Sequence, residues 1–288
     1  MKLLKFKWFY FAFSLLIILP GLFSLIRWGL RLSIDFTGGS VLVLKFIDNQ
    51  KSKNQDGLFA AAQTADNITY TFRSHQITND DKEKLKNQLI SKYGKIEEKS
   101  FETVGPVIGK ELTQKAFLAI IVASGAIVTY IAWSFRHVPK AYSAWKFGAS
   151  AVVALLHDVL LVAGLFSLLG HFYHVEIDSL FITAMLTVIG FSVHDTIVVF
   201  DRIRENLNKF PNLSFVDIAD FSLSETLVRS LNTSLTVIIT LVALLLFGGE
   251  SIRWFIVALL VGIVSGTYSS IFNATPILVL WESKSKKG

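Results

Sequence analysis

Two His-Asp pairs lie inside apolar runs of this sequence, His157-Asp158 and His194-Asp195. A carboxyl group in such a run can take up and release a proton, and a neighbouring imidazole can relay one. The second pair falls in the run Leu180–Phe200, about five residues before the charged stretch Asp201-Arg202-Ile203-Arg204-Glu205-Asn206. A charge at that depth of a membrane helix costs roughly 2.5–3.5 kcal/mol on insertion scales, so it is kept where it has a partner or a task. Arg229, at the entry of the next run, is expected at a similar depth and is the candidate partner of Asp195. Asp195 is then either a proton carrier or a permanently paired structural aspartate. Arg229 either pairs with it or snorkels to anchor its helix end. Asn232 and Thr233, about a turn further on, are placed to join the same network. Asp158 is either a second relay group or part of a structural network between helices.

Other chemistries lack their residues. No His-x-x-x-His or Glu-x-x-His spacing accompanies the pairs, so no metal site is expected. No Gly-x-x-x-x-Gly-Lys-Ser/Thr pattern is present, so no nucleotide and no other cofactor is expected. Any energy source is therefore an ion gradient or lies outside this chain. There is no cysteine, which excludes disulfides and thiolate metal sites.

The elements that must position these groups follow from hydropathy. The 288 residues are 52% hydrophobic and only 17% charged, where soluble domains sit near about a quarter charged. Apolar runs cover approximately 8–26, 116–135, 147–169, 180–200, 231–247 and 255–280. A bilayer needs about 20 such residues; the fifth run is shorter and is expected to extend back past Arg229. A signal peptide is the competing reading of the first run, but charged Arg27-Trp28-Gly29-Leu30-Arg31 follows in place of a small-residue cleavage site, so an uncleaved helix is expected, with Pro20-Gly21 as the candidate site of a kink. Gly262 and Gly266, spaced by four, permit close helix packing, as do Ser265 and Ser269.

Residues 32–112 differ: they are polar, with acids and bases nearly balanced. Val41–Phe46, Ile68–Phe72 and Glu97–Val104 read as strands. Gln50–Asp56 reads as a polar loop and Gly57–Thr64 as a short helix. Thr78-Asn79-Asp80-Asp81 resembles a helix start, and that helix should stop at Gly94. The fold class is thus an α-helical polytopic membrane protein, with six transmembrane helices and one small α+β, ferredoxin-like domain between the first two. Its parts are 1–31 (cytoplasmic N-terminus and first helix), 32–112 (extracytoplasmic domain), 113–282 (five-helix bundle) and 283–288 (basic tail).

Net charge is +6. The basic residues gather in short segments between the runs, as positive-inside topology requires, and no nucleic-acid motif appears; the lipid bilayer, not nucleic acid, is the expected contact. Lys2, Lys5, Lys7, Arg136, Lys140, Lys146, Arg202, Arg204, Lys209, Arg229, Lys284, Lys286 and Lys287 share one side. Both termini are therefore expected in the cytoplasm, with the α+β domain on the export side.

Several stretches carry a family resemblance. Ile34-Asp35-Phe36-Thr37-Gly38-Gly39 follows the first run, and Val104-Gly105-Pro106-Val107-Ile108-Gly109-Lys110-Glu111-Leu112 precedes the second. Phe200-Asp201-Arg202-Ile203-Arg204-Glu205-Asn206 closes the fourth, and Gly262–Phe272 lies in the sixth. Together, in this order, they resemble the SecF family, accessory subunits of the bacterial protein translocase within the resistance–nodulation–division superfamily. The resemblance implies a place in the bacterial inner membrane, pairing with SecD, contact with the SecYEG translocon and with YajC or YidC, and use of the proton motive force to help export an unfolded polypeptide. It implies the proton-carrying aspartate at Asp195 and the family's membrane arginine at Arg229. His194 departs from the family's usual asparagine and is either a relay or a hydrogen-bonding substitute. Asp35, Gly38 and Gly39 form either a coupling junction or a plain turn. The alternative function is a half-unit of a proton-driven small-molecule or lipid exporter of the same superfamily.

Overall fold

A computed structural model describes residues 2–47, 61–63, 69–137 and 142–285, without side-chain detail for 61–63, His137 and 283–285. It divides into two compact units, residues 32–117 and the remainder.

Among the described residues, the smaller unit is a four-stranded antiparallel sheet with two helices. Strands β1 (Gly39–Phe46), β2 (Ala61–Gln63), β3 (Thr69–Ser74) and β4 (Ile96–Val104) lie in the order β2-β3-β1-β4. Helices α2 (Ile34–Thr37) and α3 (Asn79–Tyr93) accompany them. Strand order and the β3–α3–β4 succession are those of a split βαβ, ferredoxin-like sheet. Period-two alternation on β1 buries Leu42, Leu44 and Phe46 on one face, against Tyr70 and Phe72 of β3 and Leu89 and Tyr93 of α3. Thr78 caps α3 by accepting from the Asp81 amide, and Gly94 stops it at φ 87°. The expected helix over 57–64 needs correction where it is described: Ala61–Gln63 is an edge strand paired with β3, and its remaining residues, with the 50–56 loop, lie outside the described residues.

The larger unit is helical. Helices α1 (Lys7–Arg27), α5 (Ala144–Tyr173), α6 (Ser179–Lys209), α7 (Phe215–Phe247), α8 (Arg253–Ser269) and α9 (Thr275–Ser285) make it up, with the later part of α4 (Pro106–Ser134). Among the described residues, six segments are long and apolar enough to cross a membrane: α1 with its preceding turn, α4, α5, α6, α7, and 250–282. Three of these outrun the apolar runs because their ends are amphipathic, not apolar. α4 begins at Pro106, ahead of its run. α6 continues through the charged cluster to Lys209, and α7 begins at Phe215, where Ser214 caps it. α8 and α9 are joined by a π segment, Ser270–Ala274; such segments often mark functional sites within helices.

Glycines and small hydroxyls set the closest approaches. A Cβ on Gly21 of α1 would fall 2.9 Å from the Gly164 Cα of α5. Ser24 and Ser167 share a 2.7 Å hydrogen bond on the same seam. On α8, a Cβ on Gly262 would meet the Val188 side chain at 2.1 Å, and one on Gly266 would meet Ser192 Cβ at 2.9 Å. Removing the Cβ lets α8 lie against α6 at backbone distance, which is what places hydroxyl groups within reach of carboxylates. One end of the bundle is closed by Phe135, Phe147 and Phe200, with ring centroids 5.5–6.0 Å apart.

Candidate ion-relay site in the helix bundle

Asp158 and Asp195 are both buried, at 0% and 2% exposure, but their surroundings differ. Asp158, on α5, accepts from Ser192 of α6 and from Ser265 and Ser269 of α8, each at 2.6 Å. His157 Nδ1 lies 3.0 Å from the same carboxylate. These donors from three helices surround one carboxylate, which binds the helices together through charge-assisted bonds. Ser265 and Ser269 are thus more than packing residues. Their i, i+4 spacing puts both on one face of α8, a signal visible in the sequence but equally explained by packing alone.

Asp195 has sparser company. Ser234 Oγ of α7 approaches its Oδ2 at 3.4 Å, and that hydroxyl is itself in contact with Thr267 Oγ1 of α8 at 2.5 Å. Hydroxyls both donate and accept, so this pair can rotate its hydrogens to suit either state of the carboxyl. Beside it, Thr196 and Ser270 hydroxyls meet at 2.9 Å, and Ser270 donates to the Gly266 carbonyl at 2.7 Å. A hydroxyl seam on α8 and its π segment, residues 265, 267, 269 and 270, therefore touches the surroundings of both carboxylates.

Arg229 is not where the sequence reading put it. It sits on the exposed side of α7, and no ion pair joins it to Asp195 among the described residues. The reason is helical phase: Asp195 meets the face of α7 bearing Ser230 and Ser234, and Arg229 lies about 100° from Ser230. Asn232 and Thr233 turn outward with it; Thr233 Oγ1 donates to the Arg229 carbonyl at 3.0 Å. His194 is exposed on α6 while Asp195 is buried, again the result of adjacent positions on a helix. Among the described residues, no three His, Cys, Asp or Glu side chains gather as a metal site.

The charged end of α6 has a definite job in the fold. Arg202 forms a bidentate pair with Glu225 of α7, at 2.7 and 2.6 Å, and also meets Glu205 at 2.6 Å. Asn206 donates to Glu225 and to Ser222 at 2.8 and 2.9 Å. The fork geometry explains the order of residues that charge balance alone does not. Two further clasps were not legible in the sequence. Glu282, 3% exposed, accepts from the Ser143 amide and meets Lys146 at 3.3 Å. Asp220 accepts from the Leu4 amide at 2.9 Å, fixing the N-terminal segment to α7.

In the smaller unit, Asp35 lies in the single turn α2, whose N-cap Ser33 accepts from the Asp35 amide. Gly38 and Gly39 follow at φ 71° and 119°. A Cβ on Gly38 would stand 2.9 Å from Pro106 Cα, and one on Gly39 would stand 2.7 Å from the Ser74 carbonyl oxygen. Positive φ and backbone contact together require glycine at both positions. Gly109 reciprocates, its would-be Cβ lying 2.9 Å from the Gly38 amide.

These motifs coincide with known proteins. A family model described as the SecD/SecF GG motif matches residues 23–46. A second, described as protein export membrane protein SecD/SecF, C-terminal, matches residues 84–284. The chain is 46% identical to the protein translocase subunit SecF of Thermobaculum terrenum, over 98% of this chain and 94% of that one. It is 43% identical to the SecF of Anaerolinea thermophila, over 96% and 92%. A crystal structure of SecDF from Thermus thermophilus, described as a translocon-associated membrane protein, superposes with TM-score 0.82 at 33% identity. That likeness covers 97% of this chain but only 38% of the SecDF chain. With one family model spanning residues 84–284 and near-complete relatives at this identity, the chain belongs to the SecD/SecF family of protein export membrane proteins.

Proposed function

We propose that this chain is an accessory subunit of Sec protein export that works with SecD and uses the proton motive force to drive or complete export. Asp195 is the proton carrier in this reading. The observation that carries it is the thin hydrogen-bonding of a buried carboxyl: the Ser234 hydroxyl stands at 3.4 Å, and the adjoining Thr267 hydroxyl is shared between that serine and the carboxyl. A proton crossing about 100 mV supplies roughly 2.3 kcal/mol, enough to shift a two-state helix arrangement more than tenfold. Asp158, held by three serines, keeps the arrangement of α5, α6 and α8 while Asp195 changes state.

Arg229 fits this scheme through a partner. Thr183, Thr187 and His194 of α6 and Arg229, Asn232, Thr233, Thr236 and Thr240 of α7 are exposed on apolar helices. Lipid is a poor neighbour for such groups, and a second membrane subunit is a good one. A fused SecDF relative in Thermus thermophilus, 35% identical over 90% of this chain, supports SecD as that subunit. Arg229 then receives its counter-charge across the subunit interface, not from Asp195.

The Asp35–Gly38–Gly39 junction couples helix movement to the α+β domain, which grips an emerging unfolded polypeptide on the export side. Both termini are cytoplasmic and the membrane is the bacterial inner membrane, as the basic segments support. SecYEG, with YajC and YidC, completes the assembly. The exporter alternative is less favoured because SecF relatives match this chain over nearly their whole length.

The test is Asp195→Asn, co-assembled with the SecD partner in vesicles under an imposed pH gradient. The expected result is normal assembly with loss of the gradient-dependent part of export. Undiminished gradient-dependent export would overturn the proposal.

A further inference from the structure

A cleft of about 470 Å³ lies at the C-terminal ends of α1 and α5. Arg27, Trp28 and Arg31 border it on one side, and Ser167, His171 and His174 on the other. Trp28, Phe172 and Tyr173 at this end are 41%, 63% and 74% exposed. Exposed aromatic rings just beyond an apolar span sit at the level of lipid headgroups.

The chain shapes this cleft deliberately. Gly29, at φ 70°, turns the backbone after α1, and Arg27 and Arg31 border the same opening. Gly170 lets Arg31 lie close, since a Cβ there would stand 3.4 Å from the Arg31 Cβ. Trp28 stacks on His171 with ring centroids 3.8 Å apart and planes 4° from parallel, which fixes one wall. Arg31 is held on two sides: Nε donates to Glu176 at 3.2 Å, and Nη1 donates to His174 Nδ1 at 2.7 Å. A guanidinium has only donors, so Nδ1 is the acceptor and His174 keeps a proton on Nε2.

The side-chain groups left over are of one kind. The Ser167 hydroxyl is occupied, donating to the Gly29 carbonyl at 2.6 Å and bonding Ser24 at 2.7 Å. Glu176 answers the charge of Arg31. Arg27 has no hydrogen-bond or ion-pair partner among the described residues, so one guanidinium charge is unanswered. What the lining side chains still offer is N–H donors, on Arg27 and on His174 Nε2.

We infer that this cleft binds the phosphodiester of an anionic membrane lipid. The single negative charge of a phosphodiester matches the one unanswered guanidinium, and the Arg27 fork can take two of its oxygens through parallel N–H bonds. Basic pockets at helix ends recognise lipid headgroups in this way. A headgroup that carries an ammonium is disfavoured beside two guanidinium groups. The other task open to Arg27, reaching out to water to anchor its helix end, needs no particular lipid. The inference needs only that these helices span a membrane and stands apart from the proton reading of Asp195.

The test is native mass spectrometry of the purified full chain released from nanodiscs. These contain equal parts of phosphatidylglycerol and phosphatidylethanolamine with the same acyl chains. One phosphatidylglycerol is expected to be retained about tenfold over phosphatidylethanolamine, as one charge-assisted hydrogen bond supplies. Arg27→Gln should lose that one lipid. Arg253→Gln, which removes an exposed arginine outside the cleft at the start of α8, should keep it. Equal retention of both lipids in the unsubstituted chain would overturn the inference. Equal losses in Arg27→Gln and Arg253→Gln would show a general attraction of charge and overturn it too. Displacement of the lipid by millimolar inorganic phosphate would assign the cleft to free phosphate and overturn the lipid as its occupant. The lipid ratio in the unsubstituted chain decides the matter even if a variant fails to fold.

Discussion

Asp158 and Asp195 are two buried carboxyls in one helix bundle with contrasting surroundings. Asp158 is held by three serine hydroxyls at 2.6 Å and an imidazole at 3.0 Å. Asp195 has the Ser234 hydroxyl at 3.4 Å and the adjoining Thr267 hydroxyl, and those two also bond each other. A carboxylate with its lone pairs filled from three helices is costly to disturb, because every donor would be stranded with it. One with few donors can gain or lose a proton while its neighbours merely rotate. On the proposed reading, burial alone does not single out a relay group; the number and ownership of donors does.

The comparison breaks most visibly at Asp158. Asp158→Ala should destabilise the bundle by about 3–5 kcal/mol, since it strands His157 and three serines. Thermal unfolding of the purified chain measures this, and a loss no larger than that of Asp195→Asn would erase the distinction. Next in size, Gly262→Val should cost about 1–3 kcal/mol by driving α8 away from Val188. Val188→Ala should restore part of that loss, because the two side chains claim the same space. A double-mutant cycle read by unfolding checks the coupling. Asp195→Asn should change stability by about 1 kcal/mol or less, so that its export defect is separable from folding.

The smallest effect lies outside the membrane, where a third carboxylate offers a contrast. Glu98 of β4 is held below the usual carboxylate range by hydrogen bonds from Lys86 and Lys82, at 2.8 and 3.0 Å. A depressed folded-state pKa gives stability that is present above the unfolded value and is lost as pH falls through the folded one. Glu98→Gln should therefore weaken the sheet by about 0.5 kcal/mol at neutral pH, with the difference from the unsubstituted chain vanishing in acid. Amide exchange of β4 against pH reads this directly, and a difference that persists in acid would contradict it.

Much of the fold was legible because hydropathy and turn residues act locally. Apolar runs located the membrane segments, and Thr78 and Gly94 bounded α3. The edge strand β2 was not legible, since three small residues gain their strand state only from pairing with β3. The site was half legible. Two aspartates in apolar runs announced themselves by cost, but their partners depend on helical phase and on which helices meet. Arg229 was assigned by depth, and depth ignores phase; Ser234, one face around, is the residue that reaches Asp195. Ser265 and Ser269 looked like packing residues because a small side chain serves packing and hydrogen bonding equally.

The most direct measurement is an infrared pH titration of the chain, assembled with its SecD partner in membranes, following the stretch of protonated carboxyl groups shielded from water. The account predicts one pH-dependent band from the membrane span that disappears in Asp195→Asn. A band that persists unchanged in Asp195→Asn would show that another carboxyl takes up the proton and would contradict the assignment.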